Sequence, residues 1–211
     1  AATVFSADAK DYRFTSPDGR TVVTVNAGDK LTWQVNRDGQ TIINPSEMAM
    51  TLDDGTVLGH APKVSSAKVT SVDRTIATPI YHKSEIRDNY NQLTLKLAGN
   101  YSVEFRAYDS GTAYRFVTSK KGSVKVMDES ASFRFDGDYN TFVPYVNDNR
   151  GGERYCYSFE SYYTEGKMSK MVNDSLSIVP LLVELGNGKM VAVMEAGVED
   201  YPGMFLKIDT Y

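Results

Sequence analysis

Residues 101–118 read YSVEFRAYDSGTAYRFVT, and this stretch decides the fold class. Apolar and polar side chains alternate along 101–108 and again along 113–118, the two-residue period of strands that bury one face. Asp109-Ser110-Gly111 between them is a tight-turn signal, so the stretch reads as a β-hairpin. The same pattern extends outward. Residues 20–25 (RTVVTV), 30–35 (KLTWQV) and 92–97 (QLTLKL) mostly alternate, and Gly with Asp or Asn recurs at Asp18-Gly19, Gly28-Asp29, Asp38-Gly39, Asp54-Gly55, Gly99-Asn100 and Asn187-Gly188. Residues 176–185 (LSIVPLLVEL) and 190–194 (MVAVM) are almost continuously apolar, which suits strands covered on both faces and predicts that they are central. No window carries a sustained 3.6-residue stripe, and only residues 160–173 leave room for short helices. The expected fold is all-β, a large antiparallel sandwich of two packed sheets around one core.

At 211 residues the chain suits one large β domain. Its net charge of −4 and its singly scattered Lys and Arg exclude the basic stripe that tracks phosphates, so no nucleic-acid partner is expected. No apolar run approaches the roughly 20 residues of a membrane span. The opening AATVFSADAK lacks signal-peptide regions and reads either as the mature end left after processing or as residues foreign to the chain. The chain is expected to be exported, with the bacterial periplasm as its compartment. No composition shift follows the strand-like residues 203–206, so the domain is expected to be cut short there. Cys156, the one cysteine, forms no internal disulfide and reads as a buried, inert thiol rather than a nucleophile.

Most catalytic chemistries lack their residues here. A Ser-His-acid or Cys-His arrangement needs an imidazole beside the nucleophile, and the two histidines, His60 and His82, have no recognisable setting. They do not make a zinc site with a single cysteine. Asp136-Gly137-Asp138-Tyr139-Asn140 begins like a calcium loop, but Thr141 stands where the turn glycine belongs and Asn147 where the bidentate Glu belongs, so it reads as a polar turn. Carboxylates remain. Glu195 follows the apolar run 190–194 directly, where an ionised carboxylate is costly unless it is hydrogen-bonded or bound to a metal. Two readings stand: a strand-end carboxylate held by a backbone N–H or an Arg, or a functional group.

Four phrases, in order, are Ser16-Pro17-Asp18-Gly19, Ser84-Glu85-Ile86-Arg87-Asp88-Asn89-Tyr90-Asn91, the run FRAYDSGTAYRF at 105–116, and MEAGVEDYPGM at 194–204. Together they span nearly the whole chain, and it resembles the N-terminal domain of glycoside hydrolase family 97. The resemblance implies a galactose mutarotase-like supersandwich, followed by a catalytic (β/α)8 barrel as the partner of this domain within the same polypeptide. Members act from chain ends on α-linked sugars, some as α-glucosidases and some as α-galactosidases, with catalytic carboxylates on the barrel. No catalytic residue is expected in this chain, and the chain alone is expected to be inactive. The Glu-Ala phrase of the family helps hold a calcium ion near the scissile bond and maps onto Glu195, which the resemblance makes a metal ligand. Calcium wants six to eight oxygens, so the barrel would supply most of them.

Phe159-Glu160-Ser161-Tyr162-Tyr163 also resembles a family phrase, and Glu160 and Tyr163 are the expected substrate-binding residues. A ring covers apolar CH faces of a sugar while a carboxylate accepts from hydroxyls; for Tyr162 and Tyr163 core packing is the default expectation. The polar phrase 84–91 is expected in a turn network or a surface docking on the barrel. Arg106 and Arg115 are expected to pair with carboxylates across the sheet. A stand-alone carbohydrate-binding sandwich is the second functional reading, and a sugar epimerase of mutarotase type the third, on fold alone.

Overall fold

The structure, a computed structural model, describes residues 10–146, 155, 159–172 and 175–208. Cys156 and Asn147 lie outside the described residues. Contacts divide the chain into two compact units, Ala1–Asp136 and Gly137–Tyr211.

The first unit holds strands β1 (Lys10–Thr15), β2 (Thr21–Ala27), β3 (Leu31–Arg37), β4 (Gln40–Leu52), β5 (Val57–Leu58), β6 (Val64–Ala77), β7 (Glu85–Leu97), β8 (Tyr101–Tyr108), β9 (Gly111–Thr118) and β10 (Val126–Ala131). One sheet runs β1-β2-β3-β4-β10 with β5 added beside β4, and the other runs β6-β7-β8-β9. Every pairing between these strands is antiparallel. Alternation sets which side chains meet. Val23, Val25, Leu31, Trp33 and Val35 from the first sheet share one buried cluster with Leu93, Leu95, Leu97, Val103 and Phe105 from the second. Phe105 is the bulkiest fully buried side chain of the described residues. Hairpin β8–β9 forms as its pattern requires, with Tyr108 opposite Gly111 and Phe105 opposite Tyr114.

The second unit holds β11 (Asn140–Val143), β12 (Thr164–Lys167), a single 3₁₀ turn (Met168–Lys170), β13 (Leu181–Gly186) and β14 (Lys189–Val193). Its antiparallel sheet runs β12-β11-β13-β14. Val143, Val183, Leu185 and Val193 are buried on one face. On the other, Phe142, Leu182 and Ala192 stand in register across three strands.

Several expectations change. One core and two sheets become two compact units and three sheets among the described residues. Residues 176–185 are not one strand: Ser177 makes isolated bridges to Tyr145 and Leu206, and β13 starts only after Pro180, which has no N–H to give a ladder. β13 is central, as expected, but β14 is an edge strand, with Met190 and Met194 exposed. Continuous apolarity cannot tell an inner strand from an edge strand whose outer face awaits a cover. Within 160–173 the helical content among the described residues is the one 3₁₀ turn.

Candidate functional site

Glu195 lies two residues beyond β14, at the start of an irregular segment that returns to the sheet at Leu206. Both of its carboxylate oxygens accept from the backbone N–H of Met204, Oε1 at 2.8 Å and Oε2 at 3.0 Å. The carboxylate therefore closes its own loop, the backbone-held arrangement that the sequence offers. One N–H occupies only part of a carboxylate's acceptor capacity, about four lone-pair sites, and the side chain is half-buried, so oxygen capacity remains for a cation. Among the described residues no group of three or more His, Cys, Asp or Glu side chains could hold a metal. Glu195 thus fits one place in a calcium shell and cannot form that shell alone.

Glu160 and Tyr163 are both exposed, and Tyr163 stands edge-on to Phe159 with ring centres 5.4 Å apart. Tyr162 is 96% exposed. Core packing therefore fails for both tyrosines, which are exposed in the irregular stretch before β12. Sequence reading also missed a carboxylate pair: Asn140 Nδ2 donates to Glu165 Oε1 at 3.0 Å and to Glu184 Oε2 at 3.3 Å. The pair is made by strand register, since Asn140 stands opposite Glu184 and Glu165 sits two positions along the neighbouring strand. Both carboxylates are exposed, so neither occupies the desolvated setting that a glycosidase proton donor uses.

The other sequence phrases meet at one end of the sandwich. The N–H of Asp18 donates to Asp109 Oδ1 at 2.9 Å, and Asn91 Nδ2 donates to the Thr15 carbonyl at 2.8 Å. These bonds pin the β1–β2 turn of one sheet to β7 and the β8–β9 turn of the other. The Ser16 hydroxyl, then the Arg20 N–H, holds the Asp18 carboxyl below its ordinary range, with Arg37 adding to the effect. Arg115 pairs with Glu104 at 2.8 Å across the hairpin, as expected. Arg106 pairs with no carboxylate among the described residues. It lies 4.3 Å from the Tyr90 ring centre, donates from Nε to Gln92 Oε1 at 2.8 Å, and donates from a terminal nitrogen to the Tyr108 hydroxyl at 3.4 Å. Gln92 is opposite Arg106 in register, so an amide takes the place of the expected carboxylate. The phrase at 84–91 is a structural network at its inner end.

Both histidines have plain settings: His60 Nε2 lies 3.2 Å from Glu47, which also binds Lys30 at 2.6 Å, and His82 packs against Tyr81. Asp138 accepts from the N–H and the hydroxyl of Ser169, both at 2.9 Å, so the calcium-like phrase is a polar turn.

The sequence matches the Glycosyl-hydrolase 97 N-terminal family over residues 14–210. The chain belongs to that family. A curated relative, the retaining alpha-galactosidase of Bacteroides thetaiotaomicron, is 40% identical over 200 residues, which are 93% of this chain and 30% of that protein. The glycoside hydrolase family 97 chain thus spans less than a third of this relative's length. Among solved structures, a glycoside hydrolase family 97 enzyme from Pseudoalteromonas sp. strain K8, in complex with panose, superposes with a TM-score of 0.79 at 20% identity, over 94% of this chain and 30% of that one. A beta-arabinopyranosidase superposes with a TM-score of 0.78 at 26% identity, over 90% of this chain and 32% of that one. The all-β sandwich of family 97 N-terminal domains is the fold of this chain.

Proposed function

We propose that this chain is the non-catalytic N-terminal part of an exo-acting α-glycoside hydrolase, packing on a catalytic (β/α)8 barrel of the same polypeptide and lending Glu195 to a calcium ion at the active site. The observation that carries the proposal is the setting of Glu195: a half-buried carboxylate with acceptor capacity left over, fixed by Met204, beside an exposed apolar sheet edge. Met190 on that edge and Met194 just beyond it are exposed, and a second layer would cover them. The ion would polarise and orient the sugar, with most of its oxygens from the barrel. Identity of 40% to a retaining alpha-galactosidase favours α-galactosides as substrates, with α-glucosides next. The purified chain should not turn over aryl α-galactosides or α-glucosides, whereas the polypeptide of the complete reading frame should, and should lose activity on calcium chelation. Turnover by the chain alone would overturn the proposal.

A second reading, an independent carbohydrate-binding module, draws on the exposure of Tyr162 and of Tyr163 beside Glu160. Calorimetric sugar affinity of the chain, abolished in Tyr162→Ala or Tyr163→Ala, would favour it.

A further inference from the structure

We infer that the free end of the β6–β7 hairpin is a docking arm for the catalytic part of the same polypeptide. This inference rests on the reading that such a part exists. β8 accompanies β7 only as far as the pair Tyr90 and Tyr108. Beyond it, the rungs from Asp73 opposite Asn89 to Ala77 opposite Glu85 form a ribbon of two strands, with no third strand beside them among the described residues. Five residues at about 3.4 Å each project roughly 17 Å before the closing loop.

Two strands alone are marginally stable in water. This ribbon is braced on both faces: Arg74 binds Asp88 at 2.9 Å on one, and Arg87 binds both oxygens of Asp73 at 2.8 and 2.9 Å on the other. At the tip the Thr78 hydroxyl donates to the Lys83 carbonyl, and the Thr78 N–H to the Ser84 carbonyl at 2.9 Å. The arm therefore holds its shape uncovered, and little ordering entropy would be lost on docking.

Among its charged and polar residues the arm exposes four large apolar side chains. Ile76 and Ile86 face each other, 39% exposed each, and the tip adds Ile80 at 98% and Tyr81 at 54%. In the closing loop, residues 78–84, the other side chains are polar apart from Pro79, and bare isoleucine with tyrosine is the chemistry of an anchor seated in a partner's pocket. The area selects the occupant. Even at the roughly 150–250 Å² of an aromatic side chain, exposures of 39, 39, 98 and 54% leave the four with on the order of 500 Å², short of the roughly 800 Å² per partner that a stable association of free molecules uses. A tethered partner needs less, because the linkage sets its effective concentration near the millimolar range. A barrel on the same polypeptide meets that condition and a second copy of the chain does not.

Hydrogen exchange read by mass spectrometry, on the isolated chain and on the polypeptide of the complete reading frame, tests this. Peptides spanning residues 78–84 should exchange at least tenfold more slowly in the longer polypeptide, and Ile80→Asp with Tyr81→Asp should abolish that protection there while leaving the exchange of the isolated chain's core strands unchanged. Protection of residues 190–204 without protection of 78–84 would overturn the arm and leave the proposed function intact. Protection of neither segment, or a reading frame ending at Tyr211, would overturn both. Protection of 78–84 in the isolated chain that grows with protein concentration would assign the arm to a second copy and refute the inference.

Discussion

Replacing Glu195 separates its structural role from its proposed ligand role. In the chain alone, Glu195→Ala removes the acceptors that the Met204 N–H has among the described residues, at 2.8 and 3.0 Å. Hydrogen bonds to charged groups are worth about 1.5–3 kcal/mol, and partial exposure puts this one at the lower end, about 1.5 kcal/mol. The loop is also anchored at Leu206, which exchanges two hydrogen bonds of 2.8 Å with Ser177, so its loss of order should be local. Since 1.4 kcal/mol is about a factor of ten, the Met204 amide should exchange roughly tenfold faster in Glu195→Ala. Glu195→Gln keeps an acceptor of about half the strength, so the same amide should speed up roughly threefold. The assay is residue-resolved amide exchange by NMR, with Val23 and Leu95 amides in the core as internal references. In the longer polypeptide Glu195→Gln should nevertheless weaken calcium binding nearly as much as Glu195→Ala, because a neutral amide is a poor substitute for a carboxylate ligand. An unchanged Met204 exchange rate in Glu195→Ala would refute the loop-closing argument, and unchanged calcium affinity in both variants would refute the ligand assignment.

Three further outcomes concern the sandwich. A Cβ on Gly59, at φ +95°, would lie 2.4 Å from the Met48 carbonyl oxygen, so Gly59→Ala should cost about 2–5 kcal/mol, against about 1 kcal/mol for Gly55→Ala in open space at φ +80°, measured by urea denaturation. Phe105→Ala empties a site that is 1% exposed and should lower stability by about 3–5 kcal/mol without changing the denaturant slope. Asp54 has its carboxyl lowered to about 2, first by the Thr56 hydroxyl and N–H and then by Lys120. A depressed folded-state pKa gives stability that is present above the unfolded value and lost as pH falls. Stability should therefore drop between about pH 4 and pH 2, and part of that drop should vanish in Asp54→Asn, read from urea midpoints across the range.

Sequence alone determined the all-β class, the hairpin of residues 101–118, the strands around 20–25, 30–35 and 92–97, and the family. Alternation and turn chemistry are local, set by residues two to four positions apart, and so they survive in one dimension. The second compact unit, the edge position of β14 and the split of residues 176–185 were not legible, because an apolar run is the same string whether one neighbour or two lie beside it. Tertiary structure decided that Asp18 meets Asp109, that Arg106 stacks on Tyr90 instead of finding a carboxylate, and that Asn140 gathers Glu165 and Glu184. It also decided which polar phrase is buttressed: the inner end of 84–91 is tied into the sandwich, while its outer end stands free on the arm with Ile76, Ile80 and Tyr81 in water. The reason is the same in each case. Such contacts depend on where separate strands end relative to one another, and that follows from the packing of the whole sheet rather than from any segment within it.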